Sequence, residues 1–307
     1  MPSEGFAQSP TPDEPGTVHG IPSNWGRWGR TDERGAVNLI TDEARARGAA
    51  EARSGRAISL ARVTRSSPLT AGPLAPTTAS TGVQTIMLYL GAESPAMAEL
   101  MIVNAHHPEV THLDAMSHWV AGGETYPGIG RADGWSPLGV QHGAAVAYAD
   151  GIVTRGVLLD LAPAGRLAPA FPVTGADLDA AAAREGVEVL PGDALVIRGG
   201  WHWADDRDRG EPLPGMTVDA VRWMHEHGIA LYAGDIGDAH PPLPDQIPGA
   251  LHNFALGRLA IPLIDGCDPD ELAATCTSMG RWTFQLVVAV ARITGTTGMP
   301  VNPLAIF

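Results

Sequence analysis

Lysine is absent from this chain of 307 residues, so all 20 of its basic residues are arginines. Without a lysine amine, the protein cannot form a Schiff base with a carbonyl substrate or with pyridoxal phosphate. A phosphate-binding loop of the Walker type requires a lysine as well. The missing residue type therefore excludes several classes of enzyme before any motif is considered.

Positive charge is scarce overall, because 34 acidic residues outnumber the arginines and give a formal net charge of −14. Proteins that bind nucleic acid or anionic membranes present clustered basic residues to the phosphates, and this composition offers little for such a surface. We therefore expect a small-molecule substrate, with neither nucleic acid nor a membrane among the partners.

Cysteines and long apolar runs are also few. Cys267 and Cys276 stand nine residues apart, so they cannot by themselves form a zinc–thiolate site or a secreted disulfide framework. The apolar run Leu286–Ala291 is far shorter than the ~20 residues that span a bilayer. The start of the chain lacks the apolar core of a signal peptide. We predict a cytoplasmic protein, with a flexible tail over 1–22 and a single domain over 23–307.

Hydrophobic periodicity divides the chain into a first half of strands and loops and a second half in which helices lead into strands. Three predicted helices follow residues that favour a helix start: Thr174 before Ala176–Glu185, Thr217 before Val218–His227, and Asp268 before Pro269–Thr275. The predicted strands are short apolar runs: Ala57–Val63, Thr85–Leu90, Glu99–Ala105, Gly156–Leu161, Ala194–Arg198, Ile229–Ala233, Leu259–Ile264 and Trp282–Val290.

Three segments rich in proline and glycine are too long for simple turns: Ser66–Gly82, Trp203–Gly215 and Ile236–Gly249. Long loops in a compact domain commonly form lids or walls of a site. Plain surface decoration is the alternative for each of them, and the sequence leaves both interpretations open.

Histidine is concentrated in the segment from Asn104 to His118, which holds four of the 11 histidines. The β-branched and aliphatic residues there favour an extended chain. Residues two apart share a face of such a chain, so His112 and Asp114 are expected to point the same way, and His118 has the same parity. Two imidazoles and a carboxylate suit a borderline divalent metal such as Zn²⁺ or Mn²⁺. A hydrogen-bonded polar cluster without a metal is the alternative.

The run Thr111–His118, with the sequence THLDAMSH, resembles the signature H-x-G-T-H-x-D-x-P-x-H of the putative cyclase family, which includes bacterial kynurenine formamidase and isatin hydrolase. The resemblance covers roughly Trp25 to Phe307. It implies an α/β domain of the β/β/α swivelling type, with a mixed sheet and flanking helices, assembled as a homodimer or homotetramer. Three further stretches are similar to the family: Tyr126–Gly128, Gly192–Trp201 and Gly295–Ala305.

Carried over position by position, the motif implies metal ligation by His112 and Asp114 and proton transfer by His118. Its first histidine falls on Pro108 in this chain. His106 or His107 could replace that ligand, and the shared parity favours His106. Since six extended residues span ~20 Å, His106 reaches the site only if the chain turns at Pro108.

Further site residues follow from the family pattern downstream. His252 matches a catalytic histidine by its setting in Gly249–Phe254, although a hydrogen-bonded helix histidine would look the same in sequence. Asp265 is the nearest acidic candidate for an additional metal ligand.

Three residues are candidates for substrate contacts. Trp201 and His202 end a predicted strand, where they could line a pocket or cap the core. Tyr126 begins a Tyr-Pro-Gly stretch where family members often carry Tyr-Asn-Gly.

The resemblance implies a metal-dependent hydrolase that acts on an amide or lactone bond of a small cyclic or aromatic molecule. Metal-bound water would be the nucleophile and His118 the proton shuttle. Two alternatives remain: a biosynthetic ring-closing or dehydrating enzyme with the same site, and a non-catalytic binding protein whose metal site is degenerate at Pro108.

Overall fold

A nine-stranded mixed sheet forms the centre of the protein, for which a computed structural model describes residues 17–18, 20–68, 82–88, 96–202, 206 and 210–307. We number the strands of this sheet in chain order: β1 Ala57–Ser59, β2 His112–Asp114, β3 Ile152–Asp160, β4 Ala194–Arg198, β5 Leu231–Gly234, β6 Leu263–Asp265, β7 Thr283–Val288, β8 Gly298–Pro300 and β9 Leu304–Ile306. Their order across the sheet is β8-β2-β6-β5-β4-β3-β7-β9-β1.

The middle of the sheet is parallel and both flanks are antiparallel. Strands β3, β4, β5 and β6 pair in parallel, whereas β2 and β8 on one side and β7, β9 and β1 on the other pair antiparallel. Every residue of β5 and nearly every residue of β4 is buried, as expected of parallel strands that are covered on both faces. The predicted α/β fold with a mixed sheet and flanking helices is confirmed.

The α-helices with defined bounds are α1 Asp42–Ala49, α2 Arg131–Gly134, α3 Gly175–Glu185, α4 Val218–Glu226 and α5 Asp270–Met279. Short 3₁₀ helices cover Gly35–Leu39, Met116–His118 and Ala145–Tyr148, and a π-helix covers Leu251–Leu256. No helix within the described ranges is both long and apolar enough to cross a bilayer.

The start signals of the predicted helices are largely confirmed. Thr174 caps α3 through a capping box with Asp177, and Thr217 caps α4 by accepting from a backbone N–H. Helix α5 differs from the prediction: Pro269 is its cap instead of its first residue, and the helix runs on to Met279. It stops at Gly280, whose positive φ of 61° suits glycine.

Smaller ladders lie outside the main sheet: Thr17–Val18 with Ile21–Pro22, Ser67–Pro68 with Val83–Leu88 and Ala98–Val103, Glu124–Thr125 with Ile129–Gly130, Trp135–Ser136 with Gly139–Val140, and Pro172–Val173 with Gly215–Met216. Ile21 is completely buried, so folded structure begins before the predicted tail boundary at residue 22. Of the long loops, Ser66–Gly82 falls outside the described residues over 69–81, and Trp203–Gly215 is described only in part.

Candidate metal centre

A cavity of about 230 Å³ opens beside β2 and the ends of β5 and β6. The loop after β5 contributes Gly237 and Asp238 to its wall, so the start of the segment Ile236–Gly249 forms part of the site. Four histidines and four aspartates line the cavity: His106, His112, His118, His252, Asp114, Asp235, Asp238 and Asp265.

Asp114 lies at the centre of these imidazoles. It ends β2, pairs with Gly298 and Leu263 on the two neighbouring strands, and its side chain is fully buried. Its Oδ1 atom lies 2.7 Å from His106 Nδ1, 3.4 Å from His112 Nε2 and 4.0 Å from His118 Nε2. Its Oδ2 atom lies 3.5 Å from His252 Nε2. The predicted extended chain over His112–Asp114 is confirmed.

His106 reaches the centre because the chain turns on both sides of Pro108. The N–H of His107 donates to the carbonyl of Asn104, and that of Val110 donates to the carbonyl of His107. His106 stacks on His118 with ring centroids 3.9 Å apart. The structure thus brings His106 to the site by the turn that the sequence required.

His107 points elsewhere. Its Nδ1 atom accepts from the N–H of Glu109, and the residue does not line the cavity.

Three of the imidazoles have one ring nitrogen that faces Asp114. The other nitrogen, which we call the outer nitrogen, is held by a hydrogen-bond partner. Val110 and Asp238 offer oxygen atoms 2.8 Å from His112 Nδ1 and 2.7 Å from His252 Nδ1. For His106 the outer partner is Thr297 Oγ1, 2.9 Å from Nε2. Outer acceptors of this kind fix the tautomer and the orientation of metal-binding histidines. Thr297 and Asp238 were not found from sequence, although Asp238 follows β5 closely, at a sheet edge where sites commonly form.

His118 differs from the other three rings, because no hydrogen bond to its outer nitrogen is described. It ends the 3₁₀ helix Met116–His118, which follows β2 directly, and 23% of its side chain is exposed. It can therefore exchange a proton with solvent more readily than the fixed rings.

The donor set fits a divalent metal. The atoms of His106, His112 and Asp114 that could coordinate an ion lie within 4.8 Å of one another, and so do those of Asp114, His118 and His252. Asp114 Oδ2 is buried and has no hydrogen-bond partner among the described residues. A buried carboxylate oxygen without a donor is costly unless a cation balances it.

The charges around the centre also favour a cation. Burial alone would raise the pKa of Asp114, but its contacts with His106 and His252 and the other imidazoles hold it well below its usual range. Burial likewise would lower the pKa of His252, yet the carboxylates of Asp114 and Asp238 raise it well above 6.5. Burial lowers the pKa of His118 to about 4, so this imidazole is neutral at pH 7.

Two other predicted residues line the cavity. Asp265 faces it with Oδ2 3.7 Å from His252 Nε2, but it belongs to neither group of closely spaced ligand atoms. Trp201 forms part of the wall, and its ring is almost completely buried. Asp235 holds this wall in place, because it accepts from the backbone N–H groups of Gly199, Gly200 and Trp201.

The structure places two of the predicted substrate-contact residues outside the cavity. Tyr126 is 1% exposed and donates its hydroxyl to Asp32, so it is committed to the interior and does not line the cavity. His202 follows Trp201 but does not line the cavity, and its N–H donates to the carboxylate of Asp206.

The sequence model of a family described as putative cyclase matches residues 65–239, more than half of the chain. The chain belongs to this cyclase family. Family membership confirms the resemblance and the prediction of an enzyme.

A solved structure described as a novel cyclase is 30% identical to this cyclase-family chain, with a TM-score of 0.77 over 93% of this chain and 97% of its own. Two isatin hydrolases, one bound to the product analogue thioisatinate and one from Ralstonia solanacearum, are 20% and 18% identical, with TM-scores of 0.54 and 0.56. Each match covers 81% of this chain and 91% of the other, and shows a shared fold. No curated protein matches the chain significantly.

Proposed function

We propose that this cyclase-family protein is a metal-dependent hydrolase that opens an amide or lactone bond of a small cyclic or aromatic molecule. One observation carries the proposal: three imidazoles, each fixed at one ring nitrogen, direct the other nitrogen toward one buried carboxylate, whose Oδ2 atom accepts no hydrogen bond among the described residues. Such an arrangement is typical of metal centres and costly without a cation.

His106, His112 and Asp114 would hold the ion, with His252 and Asp265 as further candidates on the other side of Asp114. Nitrogen and carboxylate donors suit Zn²⁺ or Mn²⁺. When bound, such an ion lowers the pKa of a coordinated water and polarises a carbonyl oxygen.

His118 would move the proton. Its Nε2 atom would accept the proton of the attacking water and donate it to the leaving nitrogen or oxygen. Acid–base help of this kind contributes about 10²–10⁴ in rate. Asp238 would keep His252 in one orientation through the 2.7 Å contact to Nδ1.

The wall of the cavity favours a small substrate with an aromatic or cyclic body. A space of about 230 Å³ admits a one- or two-ring molecule, and Trp201 offers it an aromatic surface. The isatin hydrolase with bound thioisatinate supports this class of substrate by analogy. Because His106 reaches the site, the departure at Pro108 no longer favours a degenerate centre.

The metal content and the hydrolytic activity of the wild type and of an Asp114→Asn variant test the proposal. We expect the protein purified without added metal to hold at least about half an equivalent of zinc or manganese, and to hydrolyse one of an aryl formamide, isatin or an aromatic lactone. Asp114→Asn should lose the metal and reduce hydrolysis by a factor of about 100 or more, because the buried charge that balances the ion is gone. Asp268→Asn, the same change outside the cavity, is the control.

His118→Ala separates proton transfer from ligation. It should keep the metal and lose most of its turnover. Loss of metal from this variant would make His118 a ligand, and full metal retention in Asp114→Asn would refute the centre itself.

A further inference from the structure

The π-helix Leu251–Leu256, which carries His252, is anchored by a distant part of the chain. Asn24 donates a side-chain N–H to the carbonyl of Leu259 at 2.7 Å, just beyond the helix. Trp25 donates its indole N–H to the carbonyl of the first residue after the helix at 2.9 Å. Helical turns of the π type are rare and often lie at functional sites. Since the backbone of this helix is held in place, the position of the imidazole depends on the contacts of the ring itself.

Trp119 connects the π-helix to the segment that carries His118. It follows His118 directly, and its indole N–H donates to Asn253 Oδ1 at 2.9 Å. The amide of Asn253 is itself oriented, because its Nδ2 atom donates to the carbonyl of Pro248 at 2.9 Å. The oxygen of this amide is therefore the atom that faces the indole, and the two segments of the site are joined by one hydrogen bond.

The indole ring of Trp119 also lies beside the imidazole of His252. Their ring centroids are 5.0 Å apart with the planes tilted by 49°, and the imidazoles of His118 and His252 are 5.8 Å apart. Asp238 holds one nitrogen of His252 at 2.7 Å. A hydrogen bond at one nitrogen leaves an imidazole able to tilt about that contact, and an aromatic ring packed beside it restricts the tilt.

We propose that Trp119 is a positioning residue, which holds the imidazole of His252 at a fixed place relative to His118 through the bond to Asn253. The indole does not line the cavity, so it does not touch a substrate there. This role rests on the proposed function, in which His118 moves a proton while His252 faces the other oxygen of the same carboxylate, Asp114.

Packing is the alternative role for Trp119, because its half-buried ring also lies against the hydrophobic core. The two roles differ in what they require of the side chain. Packing requires only the ring, whereas positioning also requires the indole N–H that Asn253 accepts. A change that keeps an aromatic ring and removes the N–H therefore separates them.

Trp223 provides a matched control away from the cavity. Its indole N–H likewise donates to a side-chain oxygen, Asp179 Oδ1, at 2.7 Å. Its ring likewise contacts an imidazole, that of His227, with centroids 3.8 Å apart. Trp223→Phe thus removes the same kind of hydrogen bond beside the same kind of ring, but outside the site.

The kinetics of Trp119→Phe test the proposal with a substrate that the wild type hydrolyses. We expect kcat per bound metal to fall about 10-fold while KM stays within about twofold, because the indole orients a ring of the site and does not bind substrate. Asn253→Ala, which removes the acceptor, should cause a similar loss. The double variant should be no slower than the slower single variant, since both changes break one bond. Trp223→Phe should match the wild type.

Crystal structures of the metal-free proteins supply a readout that does not depend on activity, after circular dichroism has shown that each variant is folded. The ring of His252 should be tilted or adopt two orientations in Trp119→Phe and in Asn253→Ala, and should keep its place in Trp223→Phe. An unmoved ring overturns the proposal, and so do wild-type turnover of Trp119→Phe or additive losses in the double variant. A wild type that hydrolyses no test substrate refutes the proposed function instead, and the position of the ring then still decides the role of Trp119.

Discussion

At the scale of single residues, Asp114 organises the candidate centre. Its alternation with His112 could be predicted from sequence, because a two-residue spacing on an extended chain fixes which side chains share a face. The same parity, with a turn at Pro108, selected His106 over His107. Asp238 and Thr297 could not be predicted, because they meet the histidines only through contacts between distant parts of the chain.

Separate alanine variants of the two adjacent histidines test whether His106 or His107 is the metal ligand. His106→Ala should weaken metal binding by about 10–100-fold or more, because it removes a nitrogen that faces Asp114. His107→Ala is the matched control and should bind metal nearly as the wild type does, since His107 lies outside the cavity. Isothermal titration of the metal-stripped proteins measures both affinities, and the reverse order would move the ligand to His107.

At the scale of elements, the edge strand β8 pairs with the strand that carries Asp114 and leaves space for the ring of His106. Gly298 pairs with Asp114, and a Cβ atom on Gly298 would lie 2.4 Å from His106 Cε1 and 2.6 Å from the carbonyl oxygen of Leu113. The glycine is therefore required for space, so that His106 can lie against the sheet.

Gly298→Ala should displace the His106 ring and destabilise the fold by about 1–3 kcal/mol, as overpacking commonly does. We expect a lower melting temperature and weaker metal binding. Gly237→Ala is the control, because Gly237 also lines the cavity but has no atom within 4 Å of the position of a Cβ. Equal behaviour of the two variants in calorimetry and metal titration would contradict the steric argument.

The elements themselves were predicted unevenly. Helices α3 and α4 carry their own start and stop signals, and the sequence therefore placed them well. Strands β8 and β9 were not predicted, because three-residue strands have too little pattern and depend on their neighbours in the sheet. Helix α1 was missed as well, although Thr41 followed by two acidic residues is a recognisable start.

At the scale of the whole molecule, buried carboxyl groups influence how stability responds to pH. Glu185 ends α3 with its side chain 1% exposed, and its Oε2 atom has no hydrogen-bond partner among the described residues. Burial raises the pKa of Glu185 to about 7. The folded protein thus retains a proton that the unfolded chain releases near pH 4.5, so this group reduces stability as pH rises from about 4.5 to 7.

Glu185→Gln should remove this dependence. We expect the variant and the wild type to have similar unfolding free energies near pH 4, and the variant to be more stable by about 1–2 kcal/mol above pH 7. The glutamine carbonyl can still accept from the N–H of Asp160, which keeps the local contact. Urea unfolding across this range measures the difference, and a difference independent of pH would show that Glu185 does not titrate there.

The centre draws its carboxylate and one imidazole from β2, whereas His106, His118 and His252 come from a turn, a 3₁₀ helix and a π-helix. Sheet position is hard to change during evolution, but a turn can present a neighbouring residue with little rearrangement. A histidine can therefore arise at a new place in such a segment and replace a lost one while the aspartate stays where it is. Genome searches that demand a fixed spacing of histidines will pass over proteins that have undergone this substitution, whereas searches anchored on the aspartate and its strand will recover them.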